Sequence, residues 1–324
     1  MNESKKNNWN YIPKIPIENN PLFSLPLIFK NILKWYGNMW APFSETVFCL
    51  IVAIIYYFIH PPIFFFKNIN ITPILTIYLY NFIIMIIVAG GLHLFFYTLK
   101  KQNNNLKYET KIFEKSRRFT FGSQVLDNMF WSLASGVTIW TFYQILLFWS
   151  YANNYIPQTS FNSNPVWFLG LFFLIILFES VHFYVVHRLL HIKFFYKLFH
   201  HVHHRNTNPG PWSGISMHPV EHLFYLSTVL IHFVIPSHPI HILFHFTIIT
   251  IGAVVGHCGF DGFFINNKNK IPLGHFHHQL HHRYFECNYG TIETPIDVWF
   301  DSFHDGTPEA SINMKNKRRK IHNI

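Results

Sequence analysis

Residues 166–191 read VWFLGLFFLIILFESVHFYVVHRLLH. The apolar run from Val166 to Val186 is long enough to cross about 30 Å of hydrocarbon at about 1.5 Å per residue. It ends on two histidines one helical turn apart, His187 and His191. A helix with this pattern crosses a bilayer and delivers two imidazoles on one face where it leaves the membrane.

The rest of the chain supports a membrane reading. Half of its 324 residues are hydrophobic, 19% are aromatic and only 12% are charged, which is low for a water-soluble protein. Further apolar runs cover Glu45 to Phe66, broken near its end by His60-Pro61-Pro62, then Ile71 to Leu99, and Phe130 to Tyr151. A shorter apolar patch, with an interfacial helix expected from about Pro26 to Trp40, precedes them. The region Leu223 to Val255 is interrupted by Pro236, Pro239 and four histidines, His232, His238, His241 and His245. Its short apolar halves predict a hairpin that re-enters the membrane, and those four histidines are read as structural.

Orientation follows from charge. Five Lys precede Trp40, seven Lys or Arg lie from Lys100 to Arg118, and none lies from Ala152 to Pro165. Positively charged loops stay in the cytosol, so four spans leave both termini there, and the fourth exits into the cytosol at His187. The formal charge of +10 therefore fits membrane topology and not nucleic-acid binding. The loop holding Glu109 and Glu114 reads as solvated, or as a dock for an acidic electron carrier. The basic tail after Gly306 reads as disordered. Cys49, Cys258 and Cys287 have no paired spacing, so neither a disulfide framework nor a cysteine zinc site is indicated.

Nineteen of the 23 histidines fall between His182 and His282. His187 and His191 are spaced i, i+4. His200, His203 and His204 are spaced i, i+3, i+4, and His278, His281 and His282 repeat that pattern. Eight imidazoles exceed the needs of one tetrahedral zinc and suggest two metals with open positions. His201 and His277 also have helical spacing to neighbours and rank second. A metal transporter, the rival from another class, would place its histidines within spans. A bis-histidine haem protein would use single histidines on separate helices, and a zinc hydrolase would want a general-base carboxylate as in H-E-x-x-H.

With its boxes H-x-x-x-H, H-x-x-H-H and H-x-x-H-H in order, and Asn288-Tyr289-Gly290 after the last, the chain resembles the sterol desaturase branch of the fatty acid hydroxylase superfamily over about residues 120–305. The resemblance implies an all-α integral membrane protein with about four transmembrane helices and a cytosolic helical cap carrying the boxes, in the endoplasmic reticulum. It implies two iron ions, O2, and electrons from NAD(P)H through cytochrome b5 or a similar carrier, acting on a sterol or related lipid that enters from the bilayer. A fatty acid, sphingolipid or ether-lipid hydroxylase of the same superfamily is the nearest alternative. Imidazole suits iron, and breaking an unactivated C–H bond needs a redox metal.

His218, His222 and His257 are further candidates for ligation. Glu179 and His182, inside the fourth run, are read as groups that orient a ligand by hydrogen bonding. The loop Asn206 to Gly214 either covers the metals or simply connects. Four segments result: a cytosolic N-terminal stretch (1–44), the first hairpin with its basic loop (45–120), the catalytic domain (121–305) and the tail (306–324). Oligomeric state is left open.

Overall fold

The computed structural model describes residues 9–265 and 269–322; the beginning of the N-terminal stretch and the last two residues of the tail lie outside them. The chain is helical apart from one short antiparallel hairpin, β1 (Gly262–Ile265) with β2 (Asn269–Pro272). An amphipathic surface helix, α1 (Phe29–Met39), occupies the stretch expected to be interfacial and leaves Phe29 and Leu33 exposed. Next come α2 (Glu45–Ile59) and three long apolar helices, α3 (Ile71–Thr98), α4 (Gln124–Ala152) and α5 (Pro165–Leu190). A helix over 193–204 (α6) follows, then α7 (Pro219–Leu226) continuing as a 3-10 helix (Ser227–Phe233), and α8 (Pro239–Gly256). The boxes conclude with α9 (Phe276–Tyr284), followed by α10 (Ile296–Trp299) and α11 (Pro308–His322).

Four helices, α3, α4, α5 and α8, are long and apolar enough to cross a membrane. This is an all-α integral membrane protein, but the set of four differs from the one expected. α2 has 15 residues, about 22 Å at about 1.5 Å per residue, short of the roughly 30 Å of a hydrocarbon core. Pro61 is the cause: it forces His60 into extended geometry (φ −65°, ψ 140°) and cannot continue the helix.

The second correction concerns Leu223 to Val255. Instead of re-entering partway, it runs to the far end of α4 and α5 and returns. The turn there is tied by Trp167 Nε1 donating to the Pro236 carbonyl (2.7 Å) and by His241 Nε2 with the Phe168 carbonyl (2.9 Å). The returning helix, α8, is almost wholly buried and forms the centre around which α2, α4 and α5 pack. The histidines of this region find local partners: His245 Nδ1 on α8 meets His232 Nε2 at 3.1 Å, and His232 Nδ1 meets Ser237 Oγ at 2.7 Å. Buried polar groups satisfied in this way suit the structural role expected of them. The outer helices α2, α3 and α5 instead expose rows of large apolar residues, among them Ile55, Leu79, Ile87 and Val185, as a lipid-facing surface does.

Two polar segments are more ordered than their composition suggested. Glu109 is buried, paired with Lys111 at 3.3 Å and Arg283 at 3.4 Å, so that part of the basic loop is not solvated. The tail is helical rather than disordered, because Ser311 bonds Tyr284 and His304 and Met314 packs beneath them. Asn206 to Gly214 folds inward, and Gly214 is pressed against α8 so closely that a Cβ there would lie 2.5 Å from the Ala253 carbonyl oxygen. Replacing Gly214 by Ala is therefore expected to cost about 2 kcal/mol of stability. The check is a lowered Tm in detergent relative to the parent chain, and an unchanged Tm would show the contact to be slack.

Candidate metal centre and its cavity

Three short helical stretches and one helix end bring nine histidines together. α5 contributes His187 and, at its C-cap, His191. On α6, a wider π turn over Tyr196–His200 resets the side-chain register just before His203 and His204, as such turns often do at functional sites. α9 carries the last box, and His257 stands just beyond the end of α8.

These side chains sort into two groups. His187, His191, His200, His204 and His281 form one; His203, His257, His278 and His282 form the other, and within each group the potential ligand atoms lie within 4.8 Å of one another. Helical spacing explains the division. On α6 the i, i+4 pair His200/His204 joins the first group while His203 turns to the second; on α9 the pair His278/His282 joins the second while His281 turns to the first. The groups are neighbours, with ring centroids of His204 and His282 5.1 Å apart and those of His187 and His278 5.9 Å apart.

Hydrogen bonding decides which nitrogens are free. His187 Nδ1 donates to the Tyr289 carbonyl (2.6 Å), His281 Nδ1 to the Cys287 carbonyl (2.6 Å) and His257 Nδ1 to the Ala253 carbonyl (2.7 Å). A carbonyl can only accept, so these Nδ1 atoms carry the proton, and in a neutral ring Nε2 is then a bare lone pair. His200 Nδ1 meets Glu221 Oε1 at 2.7 Å, the carboxylate–histidine arrangement that orients metal-bound imidazoles.

The Nε2 atoms then converge on one another. In the first group His191 lies 3.1 Å from His204, 3.2 Å from His281 and 3.2 Å from His200, while His281 and His204 are 3.0 Å apart. In the second, His257, His278 and His282 form a triangle of 3.0, 3.1 and 3.2 Å. Neutral rings cannot satisfy all these contacts with the protons left, and Nε2 of His187 is buried with no hydrogen-bond partner among the described residues. Nitrogens about 2.1 Å from a shared metal and at right angles to each other stand about 3.0 Å apart. The donor set thus fits one metal ion per group, with imidazole suited to iron.

Burial holds the rings neutral, as ligands must be. It drives His191, His200, His203, His204, His278 and His282 well below the ordinary 6.5, with neighbouring imidazoles adding to the effect, and takes His257 to about 4 and His281 to about 3.

All eight histidines of the three boxes fall in the two groups, and of the further candidates only His257 joins them. His218 caps Val220 N–H at 3.2 Å, and His222 is held by Ser135 Oγ (3.0 Å) and the Ile215 carbonyl (2.9 Å). His201 is exposed, His277 lies against the Phe303 ring, and His182 bonds Ser227 Oγ at 3.0 Å. Glu179 touches neither group directly and lines a cavity instead.

Sequence reasoning missed three supports. Glu221 lies between the candidates His218 and His222 and is not itself among the residues expected at the site. Asp297 accepts from the N–H groups of Tyr289 (2.9 Å) and Gly290 (2.7 Å) and from Ser302 Oγ (2.6 Å), fixing the carbonyl that holds His187. Phe285 adopts φ 69°, a costly left-handed conformation for an aromatic residue, where the chain turns to aim the Cys287 carbonyl at His281.

Both groups line one cavity. A cavity of about 270 Å³ is lined by His187 and His200 from the first group and by His203, His257 and His278 from the second. Its remaining walls are largely apolar, with Ile176, Phe183, Val186, Leu190, Met217 and Tyr225 among them. Such walls suit an apolar occupant.

Comparison with known proteins finds similarity over the part of the chain that carries the histidines. Residues 172–302 match the fatty acid hydroxylase family. A Delta(7)-sterol 5(6)-desaturase of Gibberella zeae is 33% identical over 141 residues, 42% of each chain. Its counterpart in Candida albicans is 32% identical over 144 residues, 44% of this chain and 36% of its own. Human fatty acid hydroxylase domain-containing protein 2 is 34% identical over 128 residues, 39% of this chain and 36% of its own. The matched stretch holds all three histidine boxes, and the relatives named here are sterol desaturases and a fatty acid hydroxylase domain-containing protein. The chain's matches span less than half the length of these relatives, and no solved structure matches it.

Two outcomes follow from this geometry. Asp297→Ala frees the Tyr289 carbonyl and is expected to weaken metal retention about tenfold, the usual scale for an outer support; metal analysis after a chelator challenge checks it. The pH dependence has a definite sign. The unfolded chain takes up protons below about 6.5 that the buried rings refuse, so stability of metal-free protein falls as pH drops from about 7 to about 5. Thermal scans of metal-free protein should show Tm declining across that window, and a Tm independent of pH there would contradict burial of neutral rings.

Proposed function

We propose that this chain is a membrane-bound non-haem di-iron oxygenase that desaturates or hydroxylates a sterol or related lipid in an O2-dependent reaction. The observation that carries the proposal is that two adjacent all-histidine groups open onto one apolar cavity within a membrane protein. The names of the relatives, Delta(7)-sterol 5(6)-desaturase foremost, favour a sterol and the removal of hydrogen.

The proposed ligands are His187, His191, His200, His204 and His281 for one iron, and His203, His257, His278 and His282 for the other. Bound there, the irons would supply the O2-derived oxidising power needed to break an unactivated C–H bond. Electrons would come from NAD(P)H through a cytochrome b5-like carrier.

The chain's own residues do the rest. Tyr289, Cys287 and Ala253 hold imidazole protons outward through their carbonyls, keeping Nε2 of His187, His281 and His257 aimed inward. Glu221 does the same for His200. Phe183, Val186, Leu190 and Met217 pack against the lipid and exclude water, so that a single carbon is presented to the metals. The basic loops support placement of the termini and the histidines on the cytosolic side, with the endoplasmic reticulum as the membrane.

The test is expression in cells that lack their own sterol desaturase, followed by lipid profiling. The expected result is a sterol with one additional double bond, formed only with O2 and lost in His203→Ala and His281→Ala. Unchanged sterols accompanied by newly hydroxylated fatty acyl chains would contradict the sterol assignment.

A further inference from the structure

Beside the histidines, the cavity has a polar corner that metal binding does not use. His275 Nε2 pairs with Glu45 Oε2 at 2.8 Å, joining the chain just ahead of α9 to the start of α2. Two glycines one turn apart on α8 make room for the pair. A Cβ at Gly252 would come within 3.0 Å of Glu45 Oε1, and a Cβ at Gly256 within 2.8 Å of His275 Nδ1. Because Gly256 immediately precedes His257, this corner adjoins the second histidine group.

Two more carboxylates face the same space. Glu293 lines it, and so does Glu179, which projects from the apolar helix α5 and makes no hydrogen bond or ion pair among the described residues. A carboxylate within a membrane helix is costly unless it finds a partner. No Lys or Arg lines the cavity.

We propose that this corner, formed by Glu179, the Glu45–His275 pair and Glu293, is a subsite for the hydroxyl group of the lipid substrate. The choice of group follows from charge. A fatty acid carboxylate or a phosphate head would meet three carboxylates and a single imidazole already engaged with one of them, a repulsive arrangement. A neutral hydroxyl can donate to the unpaired Glu179 and bring no charge of its own. Because the corner adjoins His257, the hydroxyl would sit close to the carbon that reacts, which suits a compact lipid such as a sterol and not a long chain oxidised far from its head. This inference deepens the sterol reading above and rests on it.

The test uses the full chain in lipid nanodiscs, held without O2 so that nothing turns over. Binding of a radiolabelled sterol alcohol is competed with the same sterol as its methyl ether, with stearate and with sphingosine, in the parent chain and in Glu179→Gln and Glu45→Gln. The expected result is that the ether, lacking a donor, competes about tenfold less well than the alcohol in the parent chain. Glu179→Gln should weaken the alcohol by a similar factor, with iron content unchanged. Equal competition by alcohol and ether, with no effect of either substitution, would overturn the subsite while leaving sterol binding intact. Preference for sphingosine would make the corner an ammonium site and overturn it as well. Absence of any saturable binding of the labelled sterol to the parent chain would overturn the sterol reading itself, and the subsite with it.

Discussion

The structure depends on the crowding of unprotonated imidazole nitrogens in a volume that excludes water. The carbonyls of Tyr289, Cys287 and Ala253 take the Nδ1 protons of three rings, and burial refuses the others a second proton. Lone pairs left 3.0–3.2 Å apart repel unless something positive lies among them. Helix ends and turns around them are arranged to maintain that crowding. Asp297 steadies the Tyr289 carbonyl, and Phe285 accepts a left-handed backbone so that the Cys287 carbonyl can reach His281.

The membrane helices serve the same arrangement from below. α5 carries two of the nine histidines at its end, α8 brings a third at its own, and α4 packs into the same apolar core. Placing the metal groups at the ends of apolar helices joins a polar site to a cavity walled by Ile176, Phe183 and Leu190. Under the proposed function, this placement would let a lipid reach the metals along apolar walls, with its hydroxyl at the Glu179 corner.

Much of this was legible in the sequence because helical spacing records which residues share a face. The boxes identified eight of the nine clustered histidines, and the long apolar runs identified α3, α4 and α5. What escaped was contributed singly or over long separations. His257 has no neighbour at helical spacing within its cluster, so only its fit to the family pattern pointed to it. The Glu45–His275 pair joins residues far apart in the chain, and nothing local in either stretch announces the other. The region of α8 reads in sequence as a re-entrant hairpin because the apolar halves on either side of Pro236 and Pro239 are short. The histidines there are bonded to Ser237, Thr228 and the Phe168 carbonyl, so their polarity never meets lipid.

The central claim is that each histidine group holds its own iron. Anomalous diffraction from crystals of iron-loaded protein, recorded on either side of the iron absorption edge, tests it most directly. The account predicts two iron peaks, one among His187, His191, His200, His204 and His281 and one among His203, His257, His278 and His282. A single peak, or a signal that appears only at the zinc edge, would contradict it.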